Sequence, residues 1–417
     1  MRAAVIGGGF AGRVHVQALR SIGVEPYLVI TSKEETAKRF AEEMGIPNFS
    51  GADKDGYAAV FAPEIDAVHV CTPPTSHAAI VKELLRHGKN VLCEKPVALD
   101  LEEARDLVNA VSAGKPGSGA ESEDGSGYGK ERSSGCEHEN SSVCGPHPLC
   151  ALTFNVRFHM ACQRAKELIE SGTFGKPILI HGNYMQEFHA LPAPPDWRYD
   201  PATGGKMRAI SEIGSHWIDL AQYLSGKKVT AVSAQTANFW PERELRDGLM
   251  IKPEAKEASE SEEALNRIHV VSEDAATVNL RFEDGAIGGV VLSEVSPGRG
   301  NRLTLEITCE NGNLWWNEEE NNILHTAKKG EGIRSEVFAF GNGFGDTFEE
   351  LLRRFYVEVE RRSQDRLEKT TVKEASAEGT APAAAGLPTF EEGLQVAAVC
   401  CAIKESAEKD GKWIAVL

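Results

Sequence analysis

Two α/β domains in series are what this sequence predicts: a parallel βαβ domain, then a domain on an open, largely antiparallel sheet. Three observations carry that expectation. A short apolar run, Ala3-Ala4-Val5-Ile6, breaks into Gly7-Gly8-Gly9-Phe10-Ala11-Gly12 and then into a helical pattern. From there to Ser112, apolar runs of strand length alternate with helical periodicity, the rhythm of a parallel sheet with crossover helices. In the second half, apolar runs are joined instead by Asp284-Gly285 and Asn311-Gly312, which are hairpin signals.

The first strand ends in the spacing G-x-G-x-x-G. Gly7 permits a tight turn, Gly9 lets the backbone approach a pyrophosphate, and Gly12 allows helix to pack closely on strand. The helix that follows buries Val14, Ala18 and Leu19 and aims its free N–H groups and positive dipole end back at the turn, where an anion belongs. Gly7, Gly9, Phe10, Ala11 and Gly12 are therefore the expected dinucleotide contacts, against the bland alternative of a turn that binds nothing. Tyr27-Leu28-Val29-Ile30 stands where the second strand of the unit should fall. Its tip, Thr31-Ser32-Lys33, holds no acid until Glu34. A carboxylate there would accept from the ribose hydroxyls of NAD, whereas hydroxyls and an amine suit a 2′-phosphate, so NADP is expected, with NAD possible.

Ala37, Phe40, Ala41 and Met44 mark the next helix, closed by Gly45. The strand Ala67–Cys71 runs into Thr72-Pro73-Pro74-Thr75-Ser76-His77. Strand ends of an open α/β sheet face the ligand crevice, which makes Thr72, Pro73 and His77 expected cofactor contacts, against a plain Pro-rich turn. After a helix carrying Ile80, Val81, Leu84 and Leu85 and ending at Gly88, the strand Asn90–Cys93 delivers Glu94 and Lys95 to the same crevice. A further helix opens at Asp100, with Glu103 as its capping-box partner, and runs to about Ser112.

Residues 113–149 change to Gly, Ser, Glu and Lys with almost no large apolar residue, and read as an insertion that cannot bury enough surface to order itself. Cys136, His138, Cys144, His147 and Cys150 give a minority zinc reading; the expected metal is none. The second domain, 150–417, is expected to hold a helix from about Ala209 to Leu224 with Ile210, Ile213, Trp217, Leu220, Ala221 and Leu224 on its apolar side. Glu212, His216 and Asp219 fall on another stripe of it. The acidic or Ala/Ser/Pro-rich segments near 241–273 and 363–386 read as loops, followed by a capping box at Thr389 and Glu392.

The whole-chain numbers narrow the partners. A formal charge of −17 on 417 residues argues against nucleic acid and against anionic membranes. No apolar stretch approaches the roughly 20 residues that span a bilayer. Nine scattered cysteines, and a first strand that begins almost at Met1, fit a reducing cytoplasm without an export segment.

The chain resembles the glucose-fructose oxidoreductase and inositol dehydrogenase family, Gfo/Idh/MocA, on three ordered signatures. They are Val5-Ile6-Gly7-Gly8-Gly9-Phe10-Ala11-Gly12, Cys93-Glu94-Lys95-Pro96, and Glu212-Ile213-Gly214-Ser215-His216-Trp217-Ile218-Asp219. The resemblance implies an N-terminal Rossmann domain, a C-terminal α/β domain, and hydride transfer between a nicotinamide cofactor and a sugar, inositol or related polyol. On that reading Lys95 and His216 handle the alcohol proton, Glu212 orients one of them, and Asp219 packs the helix. The family's motif usually has Asp where this chain has Glu212. Asn183-Tyr184-Met185-Gln186 and Asp196-Trp197-Arg198 look like a branch acting on larger or modified sugars. The resemblance also implies a homo-oligomer, a dimer or tetramer, paired through the open sheet face. Two alternatives stand beside the dehydrogenase: a non-catalytic dinucleotide-binding regulator on the same fold, and a glycosidase-type enzyme that uses NAD transiently.

Overall fold

The computed structural model describes residues 1–113, 148–253, 266–340, 343–371 and 386–416. In chain order, the first half runs β1 (Arg2–Ile6), α1 (Phe10–Ser21), β2 (Glu25–Thr31), α2 (Glu34–Met44), β3 (Asn48–Gly51), α3 (Ala52–Asp55), β4 (Ala67–Val70), α4 (His77–Arg86), β5 (Asn90–Cys93), α5 (Leu101–Ala113), β6 (Cys150–Leu152), α6 (Met160–Glu170), β7 (Pro177–Met185), α7 (Pro201–Gly204) and α8 (Ser215–Ser225). The rest runs β8 (Val229–Ala237), β9 (Glu242–Arg246), β10 (Leu249–Ile251), β11 (Arg267–His269), β12 (Ala275–Phe282), β13 (Ile287–Ser293), β14 (Arg302–Cys309), β15 (Gly312–Asn317), β16 (Ile323–Ala327), β17 (Arg334–Val337), α9 (Phe344–Thr371), α10 (Phe390–Glu408) and β18 (Ile414–Ala415).

The N-terminal sheet is parallel throughout, in the order β3-β2-β1-β4-β5-β6. Its central strands are buried on both faces, which is why they read as unbroken apolar runs. The order reverses on either side of β1, so the crevice above the β1 and β4 ends is the topological switch point where ligands bind. The second sheet has nine strands in the order β17-β16-β15-β14-β7-β13-β12-β8-β18, with β7 and β13 parallel and every other pair antiparallel. Asp284 (φ 59°) and Gly285 (φ 80°) make the tight turn between β12 and β13, the left-handed pair that their residue types favour. The helix α8 covers one face of this sheet, with Trp217 Nε1 donating to the Thr304 carbonyl at 2.9 Å.

Three expectations are corrected. First, β6 lies beyond the boundary placed at 112 to 150, yet it pairs with β5 and completes the N-terminal sheet. Second, the stretch 241–273 carries a small sheet, β10-β9-β11, rather than only loop. Asp247 (φ 52°) and Gly248 (φ 77°) turn its hairpin, and Met250 and Val270 bury against Ala193 and Tyr199. Third, the segment expected as loop from 363 is helical through Thr371, because α9 keeps Phe348, Leu351, Leu352, Phe355 and Val359 buried against the N-terminal domain. The candidate zinc residues Cys136, His138, Cys144 and His147 lie outside the described residues; among the described ones, no cluster of His, Cys, Asp or Glu could hold a metal.

Candidate active site

The glycine turn is shaped for an anion. A Cβ on Gly7 (φ +117°) would lie 2.4 Å from the Cys71 carbonyl oxygen, and one on Gly12 would lie 2.2 Å from that of Gly7, so both are fixed by packing. A Cβ on Gly9 would meet nothing within 4 Å: it would fill open space at the α1 N-terminus, which is the cradle a pyrophosphate needs. Phe10 and Ala11 begin α1 beside that cradle, with the Phe10 ring exposed. These residues fit a dinucleotide. At the β2 tip, Ser32 and Lys33 are exposed, while the Thr31 hydroxyl is spent on the Lys33 carbonyl at 2.9 Å. Sequence reasoning overlooked Asp53, whose Oδ1 accepts from the Glu34 N–H at 3.0 Å and brings a carboxylate close to this tip.

Of the crevice loop residues, Thr72 accepts from the Ser76 hydroxyl at 2.7 Å and Pro73 is exposed. His77 departs from expectation. Its ring nitrogens lie 2.8 Å from the Thr72 carbonyl and 2.9 Å from the Pro96 carbonyl, and burial lowers its pKa. It ties together the loops at the ends of β4 and β5 instead of presenting a free donor.

Lys95, at the end of β5, meets the second domain directly. Its Nζ donates to the Glu212 carbonyl at 2.9 Å and lies 3.4 Å from Glu212 Oε2. The backbone of Ile210–Gly214 widens into one π-helical turn before continuing as α8, a local departure common at functional sites. Arg198 Nε reaches the same Glu212 oxygen at 3.1 Å, and Arg198 Nη1 lies 3.1 and 3.2 Å from the two oxygens of Asp196. Burial alone would push the Glu212 carboxyl up; Lys95 and Arg198 outweigh it and bring the pKa down to about 2. His216 is partly buried, edge-on to Phe154, and its buried Nδ1 has no hydrogen-bond partner. Burial, with Lys95 nearby, lowers its pKa to about 3, so its ring is neutral near pH 7. Asp219, on the same stripe in sequence, points elsewhere, to Arg157, with Arg157 Nε 2.7 Å from its Oδ2.

A second polar chain escaped the sequence reading. His15 Nε2 lies 3.0 Å from Glu94 Oε1, His15 Nδ1 lies 2.7 Å from His69 Nδ1, and His69 Nε2 lies 2.8 Å from the Tyr356 hydroxyl. With Tyr356 donating to His69, His69 to His15, and His15 to Glu94, every member is satisfied. This fixes the carboxylate that precedes Lys95 and ties α9 to β4. A histidine inside the run Ala67-Val68-His69-Val70 was the available signal, since a buried ring needs partners.

Comparison with known proteins agrees with this geometry. Residues 1–115 match the model described as "Oxidoreductase family, NAD-binding Rossmann fold", and residues 162–315 match "GFO/IDH/MocA C-terminal domain". Levoglucosan dehydrogenase of Pseudarthrobacter phenanthrenivorans is 27% identical across 99% of this chain and 97% of its own length. Myo-inositol 2-dehydrogenase of Thermotoga maritima is 24% identical across 86% of this chain and 88% of its own. Among solved structures, levoglucosan dehydrogenase in complex with NADH and levoglucosan superposes with a TM-score of 0.75 at 25% identity, covering 100% of this chain and 99% of that one. Two matched domains in the expected order, around a crevice where Lys95 meets Glu212, place the chain in the Gfo/Idh/MocA family of oxidoreductases, with an NAD-binding Rossmann domain at its N-terminus.

Proposed function

We propose that the protein is a cytoplasmic, NADP-preferring dehydrogenase or reductase acting on a sugar, inositol or related polyol and its keto form. The observation that carries this reading is the 2.9 Å bond from Lys95 Nζ to the Glu212 carbonyl, which joins a cofactor-domain strand end to a second-domain helix. When bound, the nicotinamide supplies the hydride acceptor or donor. The chain's own residues then manage the proton. An alcohol carbon gives up hydride easily only if the hydroxyl proton leaves too, and that needs a group within hydrogen-bond reach. Lys95 is held in place by Glu212. His216 is neutral and its Nδ1 is buried, so its Nε2 is the ring nitrogen left to meet a substrate hydroxyl.

The transient-oxidiser and regulator readings differ in a measurable way. Levoglucosan, myo-inositol, D-xylose and the corresponding keto-sugars, each with NAD and NADP, should give a change in reduced-nicotinamide absorbance for at least one pair. Consumption of sugar without net cofactor reduction favours the transient oxidiser. Cofactor binding with no turnover across the panel favours the regulator. For cofactor choice, NADP should bind more tightly than NAD, and Ser32→Ala with Lys33→Ala should narrow the ratio. Equal affinities in the wild type would remove the assignment; tighter NAD binding would reverse it and point to the Asp53 carboxylate.

Assembly through the open sheet face is part of the same proposal. Between β7, β14, β15 and β16 that face carries a groove of about 470 Å³ lined by His181, Asn183, Arg302, Glu306, Trp315 and His325. Asn183 Oδ1 and Arg302 Nε lie buried in its floor without hydrogen-bond partners. Light scattering at micromolar concentration should give a dimer or tetramer; a monomer would remove the idea.

A further inference from the structure

We propose that Arg198 is a positioning residue of the catalytic site, and that by sharing the Glu212 carboxylate with Lys95 it keeps Lys95 free to exchange a proton with the substrate. This rests on the reading above in which Lys95 handles that proton.

The geometry is specific. One carboxylate oxygen, Glu212 Oε2, is contacted from two sides, by Arg198 Nε at 3.1 Å and by Lys95 Nζ at 3.4 Å. The two cations therefore share one carboxylate oxygen, and both pull the Glu212 carboxyl down. The position of Arg198 is over-determined. Asp196 accepts from both the Arg198 backbone N–H, at 2.9 Å, and its guanidinium, which also stacks 4.4 Å above the Trp197 ring. The loop that carries Arg198 is anchored in turn by the small β9–β11 sheet. Ala193 and Met250 exchange backbone hydrogen bonds at 3.1 and 2.7 Å, and Tyr199 packs beneath Arg208 and Arg243.

The electrostatic consequence follows. A carboxylate paired only with a lysine favours the protonated lysine, and a second cation at the same oxygen opposes it. Without Arg198, Lys95 would be left to face the Glu212 carboxylate by itself. The charged and titratable groups facing Arg198 are Glu212 and Lys95 across the crevice, Asp196 on its own loop, and His189, Arg208 and Glu294 behind it. Of these, Asp196 and Glu212 touch it directly.

The test uses the full-length protein with the sugar of the panel above that it oxidises fastest. In Arg198→Ala, kcat for oxidation at pH 7 should fall at least about 10-fold with cofactor affinity within two-fold of wild type. The ascending limb of the kcat–pH profile should move up by about one pH unit. Arg198→Lys should restore most of both. A readout independent of turnover is the pH midpoint of Lys95 acetylation by limiting acetic anhydride, followed by mass spectrometry of the cofactor-free protein; it should rise in step. Asp196→Asn, which loosens Arg198 without removing it, should give a smaller shift in the same direction and covers the case in which Arg198→Ala fails to fold. An unmoved pH profile and labelling midpoint, in variants that fold and with Lys95→Ala inactive, would overturn the role of Arg198. Normal turnover in Lys95→Ala would overturn the proton role of Lys95 and this inference with it.

Discussion

Two carboxylates about two turns apart on one helical run, Asp219 buried and Glu212 partly buried, have opposite characters. Asp219 is closed: Arg157 grips both of its oxygens, and Arg157 Nη1 turns to Glu392 at 3.1 Å. Glu212 is open. It divides itself between two cations from different loops, and beside it stands His216 with an unfilled nitrogen. The difference teaches where function resides on this helix. A buried ionic group whose bonding capacity is spent within the chain holds the fold, and one whose neighbourhood is left unfilled is available to a ligand.

The contrast can be broken at its strongest point. Arg157→Ala should destabilise by about 3–5 kcal/mol, because it leaves Asp219 uncompensated in the interior, and chemical denaturation measures this. Replacing both partners, Arg157→Met with Asp219→Leu, should recover most of the loss. Activity per folded molecule should survive either change.

At the open end the expectation reverses. Lys95→Ala and His216→Ala should each lower kcat by at least about 10²-fold, with cofactor affinity little changed and melting temperature close to wild type. A variant that loses much stability but keeps its turnover would erase the distinction drawn between the two groups.

The smallest effect concerns pH. His216 sits at about 3 in the fold, against about 6.5 when free, so the unfolded chain binds more protons between those values. Its contribution to stability is therefore complete above about pH 6.5 and is lost as pH falls toward 3. Asp219 runs the other way. Burial raises it to about 6, so its contribution is greatest below about pH 4 and declines as pH rises through 6. His216→Gln should flatten the acid limb of a stability–pH curve by up to about 1.4 kcal/mol per pH unit, and Asp219→Asn, by removing a contribution that falls with pH, should steepen the rise between pH 4 and 6. Matching slopes in both variants would show that neither group behaves as assigned. His189, lowered to about 3 by burial and Arg208, stays in both and supplies the residual acid limb.

Much of this architecture is local and was legible residue by residue. The glycine turn, the alternation of apolar strands with capped helices, the Asp284-Gly285 turn and the capping box at Thr389 are all short-range. Each depends on φ/ψ limits and on hydrogen bonds within a few residues, so the pattern alone determines it. The β14–β15 hairpin turns at Glu310-Asn311, with Gly312 already in β15 and paired to Cys309, one residue off the signal in the sequence. The Asp247-Gly248 hairpin carried the same kind of signal and was masked by the acidic composition around it. Lys95, Glu212 and His216 were also named in advance, because they follow signature residues at strand and helix ends. What the sequence could not determine is who pairs with whom. Glu212 meets a lysine 117 positions away, Arg157 finds Asp219 across 62, and His69 reaches Tyr356 across 287. On one helical stripe, Glu212 and Asp219 look equivalent as letters. Only the packing of β5, the Asn155–Phe158 turn and the Arg198 loop against that helix makes one a closed ion pair and the other an open site, since the charge partners arrive from distant segments whose meeting is decided by the burial of the whole core.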